Sequence, residues 1–376
     1  MPTESFEFRI SFRRLLIGLL VTVVPISVAA LYAITTSDKE LSRTIGTHFK
    51  IFAESTAKEI SDFIHERVLQ VGGIAAAPAL VEAVETANRG YAGLPEETIA
   101  ERIQRIEAKW NSPAAESLVN RILASRASMW LRRYQELDPR ILRITVTDAR
   151  GATVAATHKT LDYFQADEEY WQAIYADGRG AVNITDVLYD DVTRSSYIGV
   201  GVPILEAGTN RFIGTVDALV DVSSLFAFVN EPHPPLNLHV SLVKEDGTVI
   251  AAPEASLAVK MTSPELLAVQ DSLRTIEGRQ TGYLVTSVPE QGRRLIGFAD
   301  TGLKEDYRNL SWVVLVSQDA RDAFASIRMV GRLTAFLALI GLAMVVMLAA
   351  YFSLHRREPF EEIHPMSEAP EAEPST

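Results

Sequence analysis

The chain contains no cysteine. That excludes disulfides, thiol nucleophiles and cysteine-held metals, and it is compatible with an oxidising compartment without identifying one. Basic residues are scarce beside acidic ones: 36 Lys and Arg stand against 48 Asp and Glu, a formal charge of -12. Nucleic-acid binding needs clustered cations against phosphates, and no such cluster is evident, so nucleic acid is not expected as a partner. The seven histidines, His48, His65, His158, His233, His239, His355 and His364, form no His-x-x-Glu-His or His-x-x-x-His pair, so a zinc hydrolase has no signature here. There is no Gly-x-Ser-x-Gly elbow, no Gly-x-x-x-x-Gly-Lys-Thr phosphate loop, and no spaced Asp-x-Asp-x-Asp-Gly calcium loop. Paired glycosidase carboxylates leave no sequence mark, and nothing singles out such a pair. The chain is read as non-catalytic, with no cofactor and no metal.

What is present is apolar length. Of 376 residues, 47% are apolar and 22% charged, which fits a folded protein with some membrane-embedded chain. No charge occurs from Leu15 to Ser37 or from Leu333 to Leu354, and each run is long enough to cross a bilayer of roughly 30 Å at about 1.5 Å per residue. Residues 15–36 and 333–354 are therefore expected to span. Arg9, Arg13 and Arg14 precede the first run, and His355, Arg356 and Arg357 follow the second, placing both termini in the cytoplasm by the excess of inside cations. Arg328 and Arg332 lie on the opposite side and weaken that vote. A signal peptide cleaved near Ser27-Val28-Ala29 is the competing reading of the first run, and it leaves the large domain outside as well. The expected localisation is a two-pass inner-membrane protein with residues 37–325 periplasmic or extracellular. Residues 1–14 and the Pro/Glu-rich tail 355–376 are expected in the cytoplasm, the tail disordered. No kinase or coiled-coil output fits in that tail, so a separate signalling protein is expected as a partner.

Leu41, Ile45, Phe49, Phe52, Ile60, Ile64, Val68 and Val71 recur at helical spacing and predict one long stalk helix of about 50 Å. Gly72-Gly73 and Pro78 are expected to break or bend it. Helices follow at about Glu96–Trp110 and Pro113–Tyr134, the latter capped by Ser112.

From Ile144 the grammar changes. Ile-Thr-Val-Thr-Asp148-Ala-Arg-Gly151-Ala-Thr-Val-Ala-Ala reads as a hairpin. An aromatic, acidic insert runs from Asp162 to Trp171, and strands at Tyr197–Ile204 and Phe212–Val222 complete a small antiparallel sheet with the insert over one face. The pattern then returns: Leu238–Ala252 carries Glu245-Asp246-Gly247, and strands follow at Gly282–Val288, Arg294–Ala299 and Trp312–Ser317. Two related lobes in tandem are expected, 141–232 and 236–320, preceded by a helical region over 37–140 and divided at His233-Pro234-Pro235.

These features, in this order, resemble the double Cache family of extracytoplasmic sensors of bacterial chemoreceptors and sensor kinases. The resemblance covers Ser37 to about Phe324. It rests on Asp148-x-x-Gly151, the Tyr163–Trp171 segment, Val202-Pro203-Ile204, Ile213-Gly214 with Asp221-Val-Ser-Ser-Leu225, and the smaller lobe closing on Trp312. It implies an α+β fold: two tandem PAS-like antiparallel-sheet lobes on a long N-terminal stalk helix, flanked by two transmembrane helices, with the ligand in the membrane-distal first lobe. In amino-acid-binding members a Tyr, an Arg five residues on, two adjacent aromatics and a distant Asp hold the ligand. Here Tyr163, Tyr170, Trp171 and Asp221 match, while the Arg position holds Glu168 and so lacks the fork that grips a carboxylate.

Asp167, Glu168, Glu169, Asp186, Asp190, Asp191, Asp217 and Asp221 accompany the aromatic rings, a composition suited to a cation held by carboxylates and ring faces. The expected ligand is thus amine-type or amino-acid-like, with a cationic amine first and calcium second. The expected ligand-binding residues are Tyr163, Glu168, Tyr170, Trp171, Asp186, Tyr197, Asp217 and Asp221. A homodimer through the stalk is expected, and Gly331-x-x-x-Ala335 and Thr334-x-x-x-Ala338 could bring second spans together. The reading from another class is an anchored interaction or scaffold protein with no pocket in use.

Overall fold

The computed structural model describes residues 12–190, 195–230, 238–253, 261–275 and 281–354. The chain divides into two compact units, Arg43–Phe324 and the flanking segments on either side.

In chain order the helices and strands are α1 (Phe12–Ala75), α2 (Pro78–Arg89), α3 (Glu96–Glu107), α4 (Glu116–Leu123), α5 (Arg126–Leu137), β1 (Ile141–Asp148), β2 (Thr153–Ala156), α6 (Glu169–Tyr175), β3 (Asn183–Ile184), β4 (Leu188–Asp190), β5 (Ser195–Leu205) and β6 (Phe212–Asp221). They continue as α7 (Ser223–Asn230), β7 (His239–Lys244), β8 (Val249–Ala251), α8 (Pro264–Thr275), β9 (Thr281–Val288), β10 (Gly292–Asp300), α9 (Leu303–Asp306), β11 (Trp312–Asp319), α10 (Ala320–Ala323) and α11 (Ala325–Leu354).

Two antiparallel sheets form, ordered β2-β1-β6-β5-β3 with β4 also on β5, and β8-β7-β11-β10-β9. With β4 set aside, the two orders are the same when each lobe is counted from its own first strand. Agreement extends to single bonds. Each opening hairpin slips register once, between Val146 and Thr147 or between Leu242 and Val243. In the first turn Gly151 accepts from Gln165 N at 2.8 Å, and in the second Gly247 accepts from Ser263 N at 2.8 Å. Both glycines hold positive φ, 81° and 92°, where a side chain is strained. A Cβ on Gly151 would also lie 2.4 Å from that of Ala166.

Strand alternation sorts the faces. Ile144, Val146, Ile198, Val200, Val216, Ala218 and Val220 point to one side of the first sheet, and Val240, Leu242, Leu295, Ala299, Val314 and Val316 to one side of the second. Both sets join one core with Phe49, Ala53, Ala57, Ile60, Ile64, Val71 and Ile74 of α1. The approach is close: a Cβ on Gly297 of β10 would meet the Phe49 carbonyl at 2.5 Å. Further along α1 the buried Arg67 bonds Asp138 at 3.0 Å. Gln70 and Arg140 also donate to Asp138, and Arg140 first among them holds its carboxyl below the usual range.

The helical region differs from expectation in two places. α1 runs through Gly72 and Gly73 to Ala75, because both backbone positions stay in the hydrogen-bonded ladder and Ala76 N still bonds Gly72 O at 3.1 Å. The bend of 59° to α2 comes at Pro78, which opens α2 where no amide donor is required. The helix expected over Pro113–Tyr134 is split, and its cap is Ser125, whose Oγ accepts from Ser128 N at 3.1 Å, while Ser112 Oγ turns back to Lys109 O.

In the other unit, Ile327–Leu348 of α11 is long and apolar enough to cross a membrane, with mean hydropathy 2.1. The bent pair Lys39–Ala75 and Pro78–Arg89 passes the same test when taken together, but its apolar face belongs to the core just described. The run Leu15–Ser37 lies within α1. The expected termini, the tail and the His233-Pro234-Pro235 divider lie outside the described residues.

Two substitutions probe this arrangement. Gly297→Ala forces β10 off α1 and is expected to cost about 1–3 kcal/mol in urea unfolding. Asp138→Ala strands the buried Arg67 and is expected to cost about 3–5 kcal/mol, the larger loss of the two.

Candidate functional site

The opposite face of the first sheet is polar. Between it and the 160–170 segment lies a cavity of about 220 Å³, below the roughly 300–1,000 Å³ usual for drug-sized ligands and suited to something smaller. Its floor is two cross-strand rows on β1, β6 and β5. Arg143, Leu219 and Gly199 form one and all three line the cavity; the other is Thr145, Asp217 and Gly201, of which Asp217 lines it. Gly199 keeps the floor open, since a Cβ there would lie 3.1 Å from Thr185 and 3.6 Å from Asp217 Oδ1.

Asp217 is buried and lines the cavity, and no hydrogen bond among the described residues reaches its carboxylate. Burial pushes its pKa up to about 6, with Arg143 pulling the other way. Arg143 also lines the cavity, and its buried Nε has no partner. Two opposite charges thus face one space without bonding each other, an arrangement that costs free energy until something polar lies between them.

The walls come from the insert and the following segment. Tyr170 donates its hydroxyl to Gln165 Oε1, and burial, then Asp217, raises its pKa. Gln165 Nε2 and Thr160 Oγ1 both donate to Asp162 O, at 2.8 and 2.6 Å. Glu168 stands exposed at the mouth; its pKa is raised by burial first and then by Asp162 and Asp167. On the other side Thr185 locks onto β5, accepting from Gly199 N at 2.7 Å, and Leu188 and Tyr197 complete the lining.

Of the eight residues expected from the sequence, Glu168, Tyr170, Tyr197 and Asp217 line this cavity. Four do not. Trp171 is buried in a separate cluster, stacked on Tyr175 at 5.1 Å with its indole N–H donating to Thr147 at 2.9 Å, because the first turns of α6 press it under the sheet. Tyr163 packs on Trp110 at 5.3 Å, burial pushing its hydroxyl up to about 12. It supports the insert through its backbone, its amide donating to Glu107 and its carbonyl accepting from Thr153. Asp221 shares the face of Asp217 but sits four residues on, about 13 Å by strand rise, and its carboxylate accepts from Ser223 N at 2.7 Å at the head of α7. Asp186 reaches the other lobe, paired with Lys244 and accepting from Trp312 Nε1 at 3.4 Å.

Sequence reasoning missed Arg143, Asp162, Gln165 and Thr185. Arg143 carried a signal: it is a charge inside a strand whose alternate residues, Ile144 and Val146, are core.

Counted from the shared bulge, the second lobe places buried Leu315 where the first has Asp217 and Phe298 where it has Gly201. Both pack with Leu266 and Val269 of α8. The same frame is therefore filled by its own side chains. A further cavity of about 210 Å³ lies where α1 meets the head of α7, beside Glu59, Phe63, Arg140 and Leu225. It holds no buried, unbonded charge.

The Cache domain family model (dCache_1) matches residues 37–327. Solved structures that resemble the chain include the ligand-binding domain of the Pseudomonas aeruginosa amino acid chemoreceptor PctC in complex with GABA (14% identity, 73% of this chain and 99% of that one, TM-score 0.47). Another is the ligand-binding domain of Pseudomonas fluorescens chemoreceptor CtaA with L-leucine (15%, 76% and 99%, 0.47). A third is the sensory domain of Campylobacter jejuni chemoreceptor Tlp3 (13%, 77% and 99%, 0.48). No curated protein sequence matches. The match over most of the chain, with two like-ordered sheets on a long helix, identifies it as a member of the Cache family, carrying a double Cache extracytoplasmic sensor domain.

Proposed function

We propose that the chain is a membrane-anchored sensor whose first lobe takes up a small amphoteric molecule of the α-amino-acid kind. The observation that carries this is the pair on the cavity floor, Asp217 and the Arg143 Nε, which no hydrogen bond among the described residues satisfies. A ligand carboxylate meets the Arg143 guanidinium, and a ligand ammonium meets Asp217 and the faces of Tyr170 and Tyr197. The sequence placed a cationic amine first because Glu168 stands where relatives have Arg. Arg143 supplies a guanidinium from β1 instead, so the ammonium is retained and a carboxylate is added. The open cavity favours sensing over the scaffold reading, which calls for a filled first lobe.

Asp186 offers a route onward. It follows Thr185 of the cavity wall and holds Lys244 and Trp312 of the second lobe. From Trp312, β11 leads by α10 into α11. Ligand-linked shifts of the wall pass along β11 to that helix, limited by the ligand's differential affinity for the two states. α11 and the run 15–36 anchor the domain as membrane spans, and a homodimer and a separate signalling protein are its expected partners.

Thermal-shift titration of the full chain in detergent with L-α-amino acids tests the site. A binder at 100 times its Kd adds about 2.7 kcal/mol. Arg143→Ala and Asp217→Asn are each expected to weaken it about a hundred-fold, as loss of a buried charged hydrogen bond does. If both variants keep the shift, the site lies elsewhere.

The pH dependence has a definite sign. The folded pKa of Asp217, about 6, exceeds the unfolded value of 3.8, so its contribution to apo stability is present below the unfolded value and is lost as pH rises through about 6, on the order of 3 kcal/mol. Asp217→Asn removes that loss in unfolding measured from pH 4 to pH 7. Ligand affinity runs the other way: it falls on acidification below about pH 6, by up to about ten-fold per unit, because the ammonium needs the ionised carboxylate.

A further inference from the structure

The cavity holds more negative charge than an α-amino acid can use. Among the described residues its lining carries one guanidinium, Arg143, and three carboxylates, Asp162, Glu168 and Asp217. A zwitterion placed between Arg143 and Asp217 leaves the other two lining acids, Asp162 and Glu168, without a ligand cation. Asp162 and Glu168 line the same cavity, and Asp162 helps to raise the Glu168 pKa; two carboxylates sharing one space oppose each other's ionisation unless a cation joins them. The local structure holds the pair in place: the Asp162 carbonyl accepts from both Thr160 and Gln165, and Tyr170 closes on Gln165. Asp217, buried, unbonded and aimed into the same space, marks it independently as built for a ligand.

Resting on the amphoteric reading above, we infer that the ligand carries a second cation, a diamino acid whose α-carboxylate meets Arg143, whose α-ammonium meets Asp217, and whose distal ammonium bridges Asp162 and Glu168. Glu168 is then a specificity residue: it excludes an acidic side chain and selects a basic one. The charge count agrees, since such a ligand adds one net positive charge to a lining that is two negative.

Three probes of matched length separate the possibilities: L-lysine, L-norleucine, which lacks the distal ammonium, and 1,5-diaminopentane, which lacks the carboxylate. Each is titrated by calorimetry into the full chain in nanodiscs at pH 7.5. Lysine is expected to bind about ten-fold or more tighter than either analogue, the scale of one charge-assisted hydrogen bond. Glu168→Gln and Asp162→Asn are expected to collapse the lysine-to-norleucine ratio toward one, an effect that general loosening of the mouth would not produce. Norleucine binding as tightly as lysine, or a ratio unmoved by both substitutions, overturns the inference and leaves the amphoteric site standing. Diaminopentane as the tightest of the three removes the carboxylate contact, and no binding by any of them removes the amphoteric reading itself; either result takes this inference with it.

Discussion

The burial of one face of α1 against both sheets is the constraint on which the rest depends. Phe49, Ala53, Ala57, Ile60, Ile64, Val71 and Ile74 form a continuous apolar stripe, and the inward residues of two separate sheets close on it as one core. Neither sheet could cover that stripe alone, so the two lobes are tied through a shared helix rather than through a linker. Tight contact at Gly297 leaves β10 no room to slide, and the Arg67–Asp138 pair fixes the far end through charges that cannot be separated cheaply once buried. With their inward faces used in this way, both sheets are left with an outer face, and the polar cavity is on one of them.

Those two outer faces began from the same backbone plan and ended differently. In the second lobe the face is apolar and closed, with Phe298 and Leu315 under α8. In the first, the equivalent register positions carry Gly201 and Asp217. Gly201 lets Ile174 of α6 close on the sheet, since a Cβ there would lie 2.2 Å from its Cδ1, whereas Asp217 adds a desolvated charge. Asp217, with Arg143 in the adjacent row, departs from the apolar packing of the second lobe, and both line the cavity. Asp186, Lys244 and Trp312 then connect this departure to the closed lobe.

Much of the architecture could be read in advance because it is written in local pattern. The Asp-x-x-Gly and Asp-Gly turns, the alternation of the strands and the three-to-four spacing of the stalk follow from backbone requirements that act over a few residues. The differences between expectation and structure have a common origin in distance. Gly72-Gly73 and Pro78 were expected to break or bend α1; the helix runs through both glycines, and the bend falls at Pro78. Asp221 and Trp171 matched a sequence pattern, but one is consumed in starting α7 and the other in filling the space beneath the sheet. The absence of an Arg at position 168 was read as the absence of a guanidinium, because a residue 25 positions earlier in the chain could not be seen as its neighbour.

By itself the sequence determined the membership of the elements: which stretches are helix and strand, that the β pattern occurs twice, and that acids and aromatic rings gather in the first copy. These depend on hydrogen-bonding and steric rules that operate within a turn or two. Only the tertiary structure decided which of those acids meet a cavity and which merely cap or bridge, and that Arg143 stands beside Asp217. Cross-strand register joins residues far apart in the chain, and a shift of one position would turn every one of them to the opposite face.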